Sequence, residues 1–302
     1  MTQSPLNYTG GKFRLLPQIR PLFPQNINTF VDLFCGGGDV GTNIQCNYVH
    51  FNDKDPNVIG ILNAFKQLPK EETLHIINDT INHYHLSNVS ANGYTYYNCE
   101  SGKGVGEYNR EPFTRLRNDF NQLERRDYHY YILLYVLVIY SFNNQIRFNR
   151  NGKFNLPVGK RDFNEKMQLK LNAFIDRLQE IDCDFSSVDF REIQINALSA
   201  NDFVYVDPPY LITCATYNEQ GGWTDDLEHA LCQYLDELHI HNIRFALSNV
   251  LTSKGKANNI LQDWLNNNPQ YICHHLNYDY SNSSYQTSDR ISGSDEVLIT
   301  NY

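Results

Sequence analysis

No apolar run in this 302-residue chain is long enough to cross a bilayer. The longest, residues 130–140, is far short of a membrane span and reads as a buried helix. The first residues carry no signal-peptide pattern, so a soluble, cytoplasmic protein with no membrane partner is expected. Paired cysteine spacing is also missing. Cys35, Cys46, Cys99, Cys183, Cys214, Cys232 and Cys273 are scattered, odd in number and form no CxxC pair. That argues against a disulfide framework or a zinc site, and predicts inert thiols and no metal. His83 with His85, and His239 with His241, have H-x-H spacing, but no acidic or cysteine set completes a ligand shell, and they read as surface histidines. No internal repeat is evident, and 41% hydrophobic residues exclude global disorder.

Basic charge is scarce. The chain holds 25 Lys+Arg against 34 Asp+Glu, a formal net charge of -9, which at first sight disfavours a nucleic-acid partner. The shortage is uneven. Residues 101–170 contain 13 Lys+Arg against 7 Asp+Glu. Between Asp127 and Asp162 acid is absent altogether, while Arg147, Arg150, Lys153, Lys160 and Arg161 fall there. A locally basic stretch on an acidic body suits docking onto phosphates, or it is a solvated basic face.

What is present begins with α/β punctuation. Residues 30–34 (FVDLF) read as a buried strand entering a tight turn at Gly36-Gly37-Gly38, and residues 39–45 as the opening of a helix. A second strand is expected over 48–52, then a helix over 56–67, with Val58, Ile61, Leu62 and Phe65 at helical spacing. The middle differs: 78–106 is polar and rich in Asn and Tyr, 110–126 and 130–142 look helical, and 148–156 looks like a β-hairpin around Asn151-Gly152. The α/β texture then returns, with helices over 165–179, 227–238 and 260–266 and strands over 203–206, 244–248 and 296–300. The simplest architecture is an open α/β domain (1–60 and 165–302) interrupted by an inserted domain at 61–164.

Two motifs carry chemistry. Gly36, Gly38 and Gly41 fit G-x-G-x-x-G after a strand, and Asp53 ends the next strand, where an acid commonly meets ribose hydroxyls. This pattern fits NAD, FAD and S-adenosylmethionine equally well. Asp207-Pro208-Pro209-Tyr210 is more specific. A strand delivers a carboxylate to the sheet's carboxyl edge, two prolines hold the following backbone rigid with carbonyls as acceptors, and an aromatic ring follows. Such a site suits a planar group bearing an NH2, such as the exocyclic amine of adenine.

In this order the motifs resemble the amino-methylating DNA methyltransferases of the Dam type, over nearly the whole chain. Asn7-Tyr8-Thr9-Gly10-Gly11-Lys12 resembles that family's opening cofactor segment, Asp32-Leu33-Phe34-Cys35-Gly36-Gly37-Gly38 its glycine turn, and Asn52-Asp53 its ribose segment. Asp184-Phe185 is similar to the segment preceding its catalytic strand, and residues 296–302 (EVLITNY) resemble its ending. The resemblance implies a Rossmann-like methyltransferase domain with a mixed, mostly parallel sheet, and an inserted, mainly helical recognition domain carrying a β-hairpin. It implies S-adenosylmethionine as cofactor, held by these segments and by Asp207. It implies double-stranded DNA as partner, with a cognate restriction endonuclease possible. Asp207 and the Pro208 carbonyl would accept hydrogen bonds from adenine N6, beside Pro209, and Tyr210 would stack on a base flipped from the duplex.

The Dam-type recognition hairpin falls on Phe142, Asn143, Asn144, Gln145, Arg147, Asn149, Arg150, Lys153, Pro157, Lys160 and Arg161. Arg147 stands where the family reads a base and Phe142 where an aromatic wedges into the duplex. Gln145 replaces an apolar residue and Lys160 an arginine, so the Dam target GATC is not carried over. Residues 213–223, with a Gly pair and aromatics, resemble a loop that closes over the base. Three other readings stay open: transfer to another amino group (cytosine N4, an RNA base or a protein amide), a nicotinamide-dependent oxidoreductase, and a DNA-binding module without catalysis.

Overall fold

The computed structural model describes residues 1–7, 10–213, 222–277 and 293–302. Along the chain run α1 (Leu16–Ile19), β1 (Ile27–Asp32), β2 (Cys46–Asn52), α2 (Pro56–Gln67), α3 (Lys70–Tyr84), α4 (Val89–Tyr96), α5 (Arg110–Phe120), α6 (Tyr128–Tyr140), α7 (Glu165–Glu180), β3 (Cys183–Ser186), β4 (Phe203–Val206), α8 (Asp225–Ile240), β5 (Arg244–Ser253), β6 (Lys256–Ala257), α9 (Asn259–Asn267), β7 (Ile272–Leu276) and β8 (Asp295–Thr300). They fall into two compact units. One comprises Met1–Phe13, Gly36–Asn43 and Asp55–Ser187; the other comprises Arg14–Cys35, Ile44–Lys54 and Val188–Tyr302.

In the second unit the strands lie in the order β2-β1-β4-β5-β8-β7, with β6 on β5. The β1–β2, β1–β4 and β4–β5 pairs are parallel; β5–β8, β8–β7 and β5–β6 are antiparallel. β4 reads FVYV and is buried at every position, as a parallel strand covered on both faces must be. Against this sheet α8 packs Leu231, Leu235 and Leu238 beside Val204, Phe245 and Leu247. Thr224 caps α8 through its side chain, and Asp225, Asp226 and Glu228 in the first turn suit the helix dipole. The result is the mixed sheet of an α/β fold, in keeping with a Rossmann-like methyltransferase domain.

The first unit is mainly helical. α6 (YHYYILLYVLVIY) is apolar on all sides, which requires burial, and residues from Leu134 to Tyr140 are all buried. Its Tyr135 ring meets Phe65 of α2 edge-on at 5.0 Å. Asp55, Asp127 and Asn164 cap α2, α6 and α7 with side-chain acceptors, and these polar residues before apolar periodic runs made the helix starts readable.

The helix expected over 39–45 is absent; only a single turn, Gly41–Asn43, forms there. The Thr42 hydroxyl donates to Gly38 O, and the Asn43 amide donates to Asp39 O and Thr2 O. These side chains compete with the backbone ladder, and β2 begins at Cys46. α5 ends at Phe120 rather than 126, because the next residue, Asn121, turns its amide onto both backbone groups of Phe154. The polar stretch from 78 hides the second half of α3, which buries Thr73, Ile77, Thr80 and Ile81 along one stripe. The hairpin forms as expected around a bridge between Phe148 and Phe154. Its loop is the three-residue kind. Gly152 N bonds Asn149 O, Asn149 N bonds Lys153 O, and Gly152 takes φ +69°, the left-handed position that glycine fills without strain.

The thiols of Cys35 and Cys232 are buried. Burial pushes Cys232 up to about 12, and Cys183 and Cys273 up to about 11, so none is a thiolate at neutral pH. Cys214 lies outside the described residues. No described helix is long and apolar enough to cross a membrane.

Candidate active site

Parallel strands present their carboxyl ends on one edge, and ligands of open α/β sheets sit there where the strand order reverses. In the second unit that reversal lies at β1 and β4, since β1 is flanked by β2 on one side and β4 on the other. Asp32 is the last residue of β1 and pairs in register with Tyr205 of β4; Asp207 follows two residues on. Asp53 follows the end of β2 and is buried. The sequence therefore places three carboxylates at the carboxyl ends of three adjacent strands.

Their mutual field is visible in neutral neighbours. The Tyr205 phenol is fully buried and pushed well above its ordinary pKa by that burial, then by Asp207, Asp32 and Glu296. The Cys35 thiol is raised by burial, then by Asp53 and Asp32. Tyr205 stays neutral and hydrogen-bonds the Ser248 hydroxyl at 2.7 Å beneath the edge. The exits of β1 and β2 are tied together. Cys35 N bonds Asn52 O at 2.8 Å, and the Asn52 amide donates to Leu33 O at 3.0 Å and Val188 O at 3.2 Å while accepting from Val188 N.

Asp207 is half-buried, Pro208 buried, Pro209 exposed and Tyr210 half-buried. The Tyr210 hydroxyl donates to Glu296. Phe34 is half-buried, and its ring meets Phe190 at 5.5 Å and Trp223 edge-on at 5.7 Å. Within this unit the expected residues Asp32, Phe34, Asp53 and Asp207 to Tyr210 thus share one sheet edge. Carboxylates that accept from hydroxyls and face cationic groups, with a half-exposed ring for a heterocycle, are chemistry that S-adenosylmethionine fits.

The other expected cofactor residues belong to the first unit. There the N-terminus is stitched to the glycine turn. Ser4 N bonds Asp39 Oδ1 at 2.7 Å, and Thr2 exchanges two hydrogen bonds with the Asn43 side chain. Gly36 and Gly38 hold φ +48° and +78°, so the turn needs glycine there. Lys12 is buried, and its ammonium donates to Gly10 O at 2.8 Å; Gly11 is exposed. Asp184 is exposed and Phe185 half-buried on β3. Tyr8, Thr9 and most of the expected closing loop (214–221) lie outside the described residues.

On the hairpin, Phe142 is half exposed, Asn143 has φ +58°, and Arg150, Lys153, Pro157, Lys160 and Arg161 are exposed. The Arg147 guanidinium is fixed by Asn155, from Nε to Oδ1 at 2.8 Å. Three residues have structural partners that sequence reasoning did not foresee. The Asn144 amide is occupied with the Val138 and Ile139 carbonyls at the end of α6. Asn149 Oδ1 accepts from Asn151 N and Lys153 N inside the loop. The Lys153 ammonium donates to Asn121 O. Beside Phe142, a cavity of about 380 Å³ is lined by Lys103, Arg110 and Lys160 together with Glu100 and Glu107. Lys103 and Arg110 lie outside the acid-free stretch, so charge patterning alone did not single them out. Asn52 and Glu296 lie in segments that the resemblance picked out, but their contacts at this edge run far along the chain and sequence separation conceals them.

The chain matches the D12 class N6 adenine-specific DNA methyltransferases across residues 8–281. It is 38% identical to the modification methylase StsI of Streptococcus sanguinis over 99% of this chain and 43% of that protein. It is 39% identical to the type II methyltransferase M.FokI of Planomicrobium okeanokoites over the same shares. With a DNA adenine methylase of Vibrio cholerae it shares 26% identity over 72% of this chain and 69% of that protein. The chain spans less than half the length of the first two relatives. Motif order, sheet-edge chemistry and this match along nearly the full sequence agree: the chain belongs to the D12 class N6 adenine-specific DNA methyltransferase family.

Proposed function

We propose that this protein transfers a methyl group from S-adenosylmethionine to N6 of an adenine in a short duplex DNA sequence, as the modifying partner of a cognate restriction endonuclease. The observation that carries the reading is Asp207-Pro208-Pro209-Tyr210 at the carboxyl end of β4, beside Asp32 at the reversal of strand order. Two relatives are named as a modification methylase and a type II methyltransferase, which supports the restriction–modification setting.

S-adenosylmethionine supplies, when bound, a methyl group already activated on a sulfonium, so no covalent enzyme intermediate is required. Asp32, Phe34 and Asp53 would hold it at the sheet edge. Adenine's amino lone pair is delocalised into the ring and is a poor nucleophile. Accepting its two N–H groups at the Asp207 carboxylate and the Pro208 carbonyl localises that pair and orients it, so the gain is positioning and preorganised electrostatics. Tyr210 offers its face to the base, which a duplex must release at a cost of a few kcal/mol. Asp207 need not be a strong base, because the product ammonium loses its proton readily. The exposed cations of the hairpin suit phosphates, and Arg147 suits a guanine edge.

The test is transfer of labelled methyl from S-adenosylmethionine to unmethylated genomic DNA, with single-molecule sequencing of the product. N6-methyladenine confined to one short motif, and absent with Asp207→Ala, is the expected result. Label at cytosine N4, in RNA or in protein would overturn the substrate.

A further inference from the structure

One buried acid takes no part in the chemistry above. Glu228, in the first turn of α8, is 1% exposed, yet three neutral donors converge on it. Asn258 Nδ2 and Asn249 Nδ2 reach Oε1 at 2.6 and 3.3 Å, and the indole Nε1 of Trp223 reaches Oε2. Burying a carboxylate costs free energy that these bonds offset only while all are made. The arrangement therefore fixes its donors, and one of them leads to the site. The Trp223 ring stands edge-on to Phe34 at 5.7 Å and lies 6.0 Å from Phe190, and Phe34 and Phe190 are 5.5 Å apart. Phe34 follows Asp32 by two residues at the exit of β1.

We propose that Glu228 is a positioning residue for the cofactor: by holding the Trp223 indole it sets the Phe34 ring against S-adenosylmethionine. The inference rests on the function proposed above. Glu228 would touch neither cofactor nor base, and would act through two aromatic rings.

The geometry offers a selective test. Both asparagine amides meet one oxygen of Glu228 and the indole meets the other. In Glu228→Gln the amide oxygen serves the two asparagines and its NH2 faces the indole N–H, donor against donor. Trp223→Phe removes that N–H and keeps a ring. Affinity for labelled S-adenosylmethionine is read by equilibrium dialysis, and kcat is read separately at saturating cofactor. Glu228→Gln is expected to raise Kd about tenfold, the equivalent of one ordinary contact, with kcat within about threefold of the parent. Trp223→Phe alone removes the same hydrogen bond and is expected to raise Kd by a similar factor, and adding it to Glu228→Gln is expected to raise Kd no further, the signature of coupled residues.

An unchanged Kd in Glu228→Gln overturns the proposal. So does a double variant whose loss is the sum of the two single losses, which is what a glutamate acting independently of the indole gives. Should Glu228→Gln fail to fold, Trp223→Leu carries the test. Loss of the ring must raise Kd, and an unchanged value overturns the role. A parent protein that binds no S-adenosylmethionine overturns the functional reading and this inference with it, whereas binding that is equal in parent and variants overturns this inference alone.

Discussion

The Tyr210 hydroxyl donates to the Glu296 carboxylate at 3.2 Å, joining the ring after Pro209 to β8, 86 residues further along the chain. Glu296 is 2% exposed, so the acceptor is fixed by the sheet. The ring is thereby presented by a strand as well as by its own loop. Tyr210→Ala removes the face offered to the base and is expected to slow single-turnover methylation by about 1–3 kcal/mol, the range for one base stacked on an aromatic side chain. Tyr210→Phe keeps the face and gives up the hydroxyl with its bond to Glu296, so its loss should be smaller. Equal rates for parent and Tyr210→Ala would remove the ring from the reaction.

Asp207→Ala separates binding from chemistry. The carboxylate would act on the amino group chiefly in the transition state, so its loss should lower kcat by about 10²–10³, as removal of one preorganised electrostatic group does. Affinity for S-adenosylmethionine should weaken only modestly, because Asp32 and Asp53 remain at the same edge. Calorimetry of cofactor binding beside initial rates checks this. A mutant that turns over like the parent would end the catalytic assignment.

Arg147 and Asn155 form a pair across the hairpin, with Nε to Oδ1 at 2.8 Å and Nη2 to the Asn155 carbonyl at 3.3 Å. Arg147→Ala is expected to cost about 1–3 kcal/mol and to relax choice at one base position, as loss of a bidentate contact to guanine does. Asn155→Ala leaves the guanidinium in place with one anchor fewer, and should relax the same position less. Sequencing of the methylated sites reads both effects. Unchanged site choice in Arg147→Ala would take the hairpin out of recognition.

These residues also show how far the sequence was readable. β4 with Asp207-Pro208-Pro209-Tyr210, α2 with its Asp55 cap and all-apolar α6 announce themselves by local pattern. So does the hairpin, whose Asn-Gly pair marks a turn although it does not say which kind. The helix expected after the glycine turn failed because Thr42 and Asn43 hydrogen-bond their local backbone, a competition that periodicity does not weigh. β7 (ICHHL) was not expected at all, since His274 and His275 interrupt its alternation and none of its residues is fully buried. Asn144 and Asn149 look like base readers from composition, yet their amides are engaged within the hairpin region. Glu228 was invisible because a buried acid is read from its three-dimensional partners, and Glu296, though it lies in the matched ending, did not show its contact with Tyr210.

Asp189 gives the sheet unit a pH dependence. The Arg191 guanidinium bonds both of its oxygens, at 2.7 and 3.0 Å, and Lys54 reaches it at 3.2 Å. These contacts, led by Arg191, hold its carboxyl down at about 2. Because the folded value lies below the unfolded one of about 3.9, the contribution is fully present above that value and fades as pH falls through about 2. Asp189→Asn should therefore lower stability at pH 7 and match the parent near pH 2. The loss should stay within about 1 kcal/mol, since Arg191 is half exposed and solvent screens the pair. Urea unfolding at several pH values measures the difference; a gap that widened toward acid would contradict it.

Tyr135 supplies the opposite kind of test, a polar group whose removal helps. It is 0% exposed in the middle of α6, packed edge-on against Phe65 at 5.0 Å, and its hydroxyl has no hydrogen-bond partner among the described residues. Burial pushes its phenol far above the ordinary value, so the group is a neutral hydroxyl stripped of water. Leaving such a donor unmet costs roughly 1–3 kcal/mol, and a phenyl ring of the same shape carries no such cost. Tyr135→Phe should therefore raise the urea midpoint by the equivalent of about 1 kcal/mol without altering methyl transfer. The outline of the core stays filled, so no cavity opposes the gain. A drop in stability would mean that the hydroxyl is satisfied in solution, and a buried water bridging it to α2 or α6 would then be the place to look.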